Sequence, residues 1–126
     1  MKAVVYDGPR QFSVREIPTP VPGPGQIRIK VGQTGVCGTD LHIHEGGFQA
    51  EFPLTPGHEV VGWVDALGEG VSGLGVGEQV TVNPNLACGH CDPCRSERPI
   101  LCANHKGFGA NAPGFFAEYA LAPARL

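Results

Sequence analysis

The sequence contains no apolar run near the ~18 residues needed to cross a bilayer. It has no block of like charges, and its formal net charge is only −3. These absences argue against a membrane span and against a nucleic-acid or anionic-membrane partner. The N-terminal run Met1-Lys2-Ala3-Val4-Val5-Tyr6 is too short for a signal-peptide core, so a cytoplasmic location is the expectation. No internal repeat is visible, and helical periodicity is almost missing.

What is plentiful is turn chemistry, with 19 Gly and 12 Pro among 126 residues. They punctuate β-branched runs, which favours a turn-rich β fold over disorder. The length suits one domain, residues 1–126. Val4–Tyr6 and Phe12–Ile17 predict a hairpin about Asp7-Gly8-Pro9, and Pro18–Gly25 a stiff extended connector. Gln26–Val36 alternates as a half-buried strand does. Thr39–Glu45 predicts one helical turn capped by Thr39 or Asp40. His58–Leu67, Val80–Val82 and Phe115–Leu121 read as further strands. Many short strands with little helix predict a mainly β, barrel-like domain.

Residues 87–105 have no periodicity and cannot build a core, so something else must order them. Cys88, Cys91, Cys94 and Cys102 form the pattern C-x₂-C-x₂-C-x₇-C. Four thiolates make a closed tetrahedral shell for Zn²⁺, which supplies folding energy and leaves no position for substrate. This predicts a structural zinc lobe at about residues 87–105. The competing readings are two disulfides, or a redox pair at Cys91 and Cys94 acting as a thiol switch. The five cysteines form an odd set, and the cytosol keeps thiols reduced. His90 and His105 read as solvated neighbours of the cluster.

The fifth cysteine stands apart, in Cys37-Gly38-Thr39-Asp40-Leu41-His42, and Gly57-His58-Glu59 opens a later strand. A mixed Cys/His set with an open fourth position is how a catalytic zinc is held. An alcohol bound there loses its proton readily, because the ion stabilises the alkoxide, and the alkoxide can expel hydride. Thr39 and His42, three residues apart, suit a proton relay on one side of a helical turn. Adjacent strand residues face opposite ways, so His58 is assigned to the metal. Glu59 is either an exchangeable ligand or a charge behind His58, and joins His58 at the metal only if the strand has not begun at Gly57.

Taken together, in this order and spacing, the two constellations resemble the zinc-containing medium-chain dehydrogenase/reductase family of alcohol, sorbitol and threonine dehydrogenases. The resemblance runs from the N-terminal strand through both clusters to Gly114-Phe115-Phe116-Ala117-Glu118-Tyr119. It implies a GroES-like β-barrel with little helix, a catalytic zinc on Cys37 and His58, and a structural zinc on the four lobe cysteines. It also implies NAD or NADP, a Thr39–His42 relay, and a small alcohol or polyol substrate with Phe48 near the pocket. In that family a Rossmann domain and a third catalytic-zinc ligand lie beyond the matching region. This chain by itself is therefore expected to leave the catalytic site incomplete, to be inactive, and to self-associate through an exposed apolar face. The alternative is a free-standing zinc-stabilised binding or scaffold module. Gly68-Glu69-Gly70-Val71-Ser72-Gly73 fits G-x-G-x-x-G, but Gly75 and Gly77 forbid the helix a dinucleotide site needs, so it reads as a hairpin loop.

Overall fold

The computed structural model describes residues 1–126. Strands β1 (Lys2–Gly8) and β2 (Gln11–Glu16) form the N-terminal antiparallel hairpin. The central sheet contains β3 (Gln26–Gly35), β4 (Glu59–Leu67), β5 (Gln79–Thr81) and β8 (Tyr119–Pro123), ordered β5-β4-β3-β8 and antiparallel throughout. A two-stranded ribbon pairs β6 (Asn85–Leu86) with β7 (Lys106–Gly107). Helix α1 (Gly38–Glu45) follows β3, and α2 (Asp92–Arg95) lies between β6 and β7.

The period-two pattern of β3 turns Ile27 and Ile29 inward, where they meet Val60 and Val64 of β4 and Ala120 and Ala122 of β8. Burying each Ile or Val contributes about 1.5–3 kcal/mol. Phe108 and Phe115 close this core, with ring centroids 4.9 Å apart. Register shifts in the β3–β4 ladder, between Arg28 and Ile29 and between Val31 and Gln33, mark bulges of the kind that bend a sheet toward a barrel. β2 is exposed along its whole length, Phe12 and Val14 included.

Three expectations are corrected. The final strand is Tyr119–Pro123, not Phe115–Leu121. Phe115 is instead wholly buried in a loop that clamps the approach to β4, where the Phe115 N–H donates to Gly57 O at 3.1 Å and the Phe116 N–H to Pro56 O at 3.0 Å. α1 has two turns, and its N-cap is Cys37, not Thr39 or Asp40. Asp40 occupies the third helical position and reaches back, accepting a 2.8 Å bond from the Cys37 N–H. Residues 87–105 also contain more regular structure than expected, namely α2 and a 3₁₀ turn over Pro99–Leu101. The Gly68–Gly77 segment forms the irregular link between β4 and β5 and opens no helix.

Gly57 has φ +92°, and a Cβ there would strike the Phe116 ring. Gly57→Ala should therefore cost about 2 kcal/mol or more. Gly70, also at positive φ but with open space around it, should lose only about 1 kcal/mol on replacement by Ala. Urea unfolding of the two variants measures the difference.

Candidate metal centres

Of residues 87–105, only Cys102 is buried, so no apolar core holds this lobe together. What it has instead is a cluster of four sulfurs. The Sγ atoms of Cys88, Cys91, Cys94 and Cys102 all lie within 4.8 Å of one another. Cys88 and Cys94 are 3.9 Å apart and Cys91 and Cys94 3.4 Å apart. A tetrahedron with Zn–S near ~2.3 Å has edges of about 3.8 Å, so the donor set fits a zinc ion. Backbone amides support it: the Cys88 N–H points at Cys102 Sγ and the Cys91 N–H at Cys88 Sγ, both at 3.4 Å. Backbone N–H groups of His90 and Cys91 hold the Cys88 thiol down to about 6, while burial and the Cys91 side chain push Cys94 up to about 12. β6 and β7 pair at the base of the lobe, with Asn85 opposite Gly107 and Leu86 opposite Lys106.

The second cluster brings together one sulfur, one imidazole and one carboxylate. Donor atoms of Cys37, His58 and Glu59 lie within 4.8 Å of one another. His58 and Glu59 can share a point because β4 begins only at Glu59, and the left-handed turn at Gly57 sets His58 outside the alternating pleat. Gly35, paired with Glu59 across the ladder, leaves room for the Glu59 carboxylate, which a Cβ at residue 35 would strike. The Glu59 carboxylate could thus offer a third donor within the chain.

Asp40 is the residue that sequence reasoning placed only as a cap. It is 7% exposed, and its Oδ1 is a buried side-chain oxygen with no hydrogen-bond partner. That oxygen lies 3.6 Å from His58 Nδ1. An N–H on Nδ1 would answer it and leave Nε2 free to face Cys37, the arrangement that orients a metal-binding histidine. The orphaned oxygen and the soft/borderline donor set both suit zinc at this point. The C-x-x-D spacing, a variant of the capping box, is the available signal, since Asp40 lies three residues beyond Cys37.

A cleft of about 400 Å³ adjoins this cluster, with Thr39, Phe48 and His58 on its walls. Thr39 Oγ1 lies 3.8 Å from Cys37 Sγ. His42 is exposed on α1 and makes no hydrogen bond to Thr39. Phe48 is 45% exposed on the rim. Across the helix, the Tyr6 hydroxyl meets His44 Nδ1 at 3.0 Å, with the Tyr6 phenol pushed above its ordinary acidity range by burial and by the Asp40 charge. His90 is exposed, with its ring nitrogen 3.0 Å from Cys88 O, as a solvated neighbour should be. His105 departs from that expectation. It is half-buried, lines the cleft and meets Asn85 Oδ1 at 3.2 Å, because the His105 N–H to Cys102 O bond folds the chain back from the cysteine cluster.

A small β domain with a sealed four-sulfur site on a lobe and an open Cys/His/Glu site beside a cleft defines a GroES-like domain of the zinc dehydrogenase class. Residues 23–126 match the alcohol dehydrogenase GroES-like domain family, and the chain belongs to that family. L-threonine 3-dehydrogenase of Stenotrophomonas maltophilia (strain K279a) is 45% identical over 129 residues, covering 98% of this chain and 38% of the relative. The structure of the alcohol dehydrogenase RspB from Escherichia coli CFT073, complexed with NADH, superposes with a TM-score of 0.94 at 42% identity, covering 99% of this chain and 36% of that one. A candidate zinc-binding dehydrogenase from Sinorhizobium meliloti 1021, bound to NADP, gives 0.93 at 40% identity, covering 98% and 36%. The chain therefore spans a little over a third of the length of these relatives. The expected zinc-containing medium-chain dehydrogenase/reductase family, and its GroES-like domain, are both met.

Stripping the lobe of metal should leave its thiols ionising in a fixed order. Cys88 has a lowered pKa, so its thiolate survives as pH falls and is lost only near pH 6, whereas Cys94 ionises near 12. Any stability Cys88 adds to the stripped lobe is accordingly full above the ordinary thiol range and lost as pH falls through about 6. Thiolate absorbance of the chelator-treated protein should lose its most acidic component in C88S and its most basic in C94S.

Proposed function

We propose that this domain prepares a secondary alcohol or polyol for oxidation to a ketone within an NAD- or NADP-dependent dehydrogenase. The reading rests on the convergence of Cys37, His58 and Glu59 on one point, with His58 also lining a cleft, separate from the four-cysteine site. It draws further support from the NADH and NADP held by its structural relatives, and from the share of those relatives that lies outside the match. When bound, zinc would act as a Lewis acid on the alcohol oxygen, and the nicotinamide would take the hydride from the carbinol carbon.

The chain's own residues do the remaining work. Thr39, beside the Cys37 sulfur and on the cleft wall, is placed to accept a hydrogen bond from the substrate hydroxyl. The proton that leaves the hydroxyl passes through Thr39 toward exposed His42 and water. Asp40 positions His58 by facing its Nδ1. Glu59 serves as the third donor, and being exposed it is the one able to swing away. Phe48 covers the substrate from the rim. The four-cysteine site is structural and takes no part in the reaction. Free thiols at all five cysteines suit a reducing, cytoplasmic setting. The exposed Phe12 and Val14 on β2, and Ile100 and Leu101 on the lobe, favour self-association.

Kinetics of the full-length enzyme test the reading. C37S and H58A should lower kcat/KM for a secondary alcohol by about 10³-fold or more, the scale of losing a group that acts on the reacting atoms. D40N should weaken zinc at this site by about 10–100-fold, as removal of a ligand's supporting carboxylate does. The 126-residue chain alone should oxidise no alcohol with either nucleotide. Undiminished turnover in H58A and C37S would defeat the assignment. Sedimentation at high concentration checks self-association, and a strictly monomeric species counts against it.

A further inference from the structure

Strand β2 is paired on one side only, to β1. The outward groups of β1 are already taken. The Val4 N–H donates to Phe116 O and the Tyr6 N–H to Leu54 O, both at 2.8 Å, and Lys2 O accepts the Glu118 N–H at 3.0 Å. Lys2, Val4 and Tyr6 therefore turn these main-chain groups away from β2. Their cross-strand partners Glu16, Val14 and Phe12 turn away from β1 in the same way. The result is an open edge, along which the N–H and C=O groups of Phe12, Val14 and Glu16 face outward.

All six residues of β2 are exposed, so this edge is uncovered. Exposed edges are usually blunted by lysine, proline or a bulge. Gln11–Glu16 contains no Lys or Pro, and the register shift of the hairpin sits at its turn, between Tyr6 and Gly8. Arg15 is the only cation of the strand, and it folds back onto Asp7 and Ser13 of its own hairpin.

The edge is also complementary to itself. In an antiparallel pairing about a two-fold axis at Val14, Val14 meets its own copy and Phe12 meets Glu16, so every outward group finds a partner. Phe12 stacks on Tyr6, and Val14 shares that face. Phe12 of one copy then lies diagonal to Val14 of the other, within reach of an aromatic ring. On the opposite face Ser13 stands across from Arg15, so no like charges are opposed. An axis at Arg15 would set that cation against its copy. An axis at Ser13 would put Glu16 opposite Arg10, in the turn where the ladder ends.

We propose that β2 is a dimerisation edge, and that two copies of this chain join their β2 strands antiparallel, centred on Val14. The two hairpins, each a two-stranded sheet, become one four-stranded sheet with a continuous apolar stripe, and sheets gain independent stability at that size. The proposal rests on the self-association reading above and narrows it to one edge and one register.

The test is amide hydrogen exchange by NMR, with sedimentation equilibrium, on the zinc-loaded 126-residue chain. As concentration rises through the dimer range, the amides of Phe12, Val14 and Glu16 should slow by at least about tenfold, while those of Ser13 and Arg15, already turned to β1, change little. Val14→Pro removes an outward N–H and takes no bond from β1. Val14→Lys sets two like charges across the axis. Each should raise the dimer Kd by at least about tenfold. Leu101→Lys, on the lobe, should leave it within about twofold of wild type. A dimer unchanged in both Val14 variants, dissociated by Leu101→Lys, or leaving the Phe12 and Val14 amides as fast as in the monomer overturns the proposal and leaves self-association standing. A chain that stays monomeric at high concentration overturns the self-association reading, and this one with it.

Discussion

One buried carboxylate joins the two segments that bring the open metal-type cluster together. Asp40 accepts the Cys37 N–H with one oxygen and faces His58 with the other. The first contact closes the N-terminus of α1 and fixes where the Cys37 sulfur points. The second holds the imidazole on the far side of the same space. A buried carboxylate oxygen without a partner costs several kcal/mol unless something answers it, and His58 Nδ1 faces it at 3.6 Å. Helix capping and ligand orientation are thus the same piece of chemistry, and neither can be changed without disturbing the other.

Backbone geometry does the complementary work on the β4 side. The left-handed turn at Gly57, packed under Phe116, delays the start of the strand by one residue. Without that delay, His58 and Glu59 would project from opposite faces of the sheet. The clamp of Phe115 and Phe116 onto Pro56 and Gly57 makes the delay part of the hydrophobic core, because Phe115 is wholly buried there. Core packing therefore supports the chemistry directly, through a loop that looks like a strand on paper.

That loop also shows what sequence reasoning can and cannot reach. Both candidate metal clusters, the long strands and the irregular Gly68–Gly77 link are legible in the sequence, because spacing, period-two alternation and glycine content are local signals. The Phe115–Leu121 strand was misplaced because a run of aromatic and apolar residues has the same composition whether it is a strand or a buried plug. The cap of α1 was misplaced because Cys is not a usual capping residue, and the signal lay in Asp40 three positions on. His105 was read as solvated because its burial depends on the chain turning back at Cys102 and on a strand pair only two residues long, neither of which has a periodic signature.

The same short pair links the four-cysteine lobe to the cleft. A closed four-sulfur shell can do no chemistry on a substrate, and a lobe with one buried residue has almost no apolar core to define its shape. Yet its two ends, Asn85–Leu86 and Lys106–Gly107, are hydrogen-bonded together at the cleft wall. If the lobe were loose, those ends would be the termini of a floppy loop, and the entropic cost of ordering this wall of the cleft would be left unmet. A metal ion bound by the four sulfurs would meet that entropic cost beforehand. A zinc held by the four sulfurs would stiffen the lobe and, through the β6–β7 pair, the cleft wall at its base.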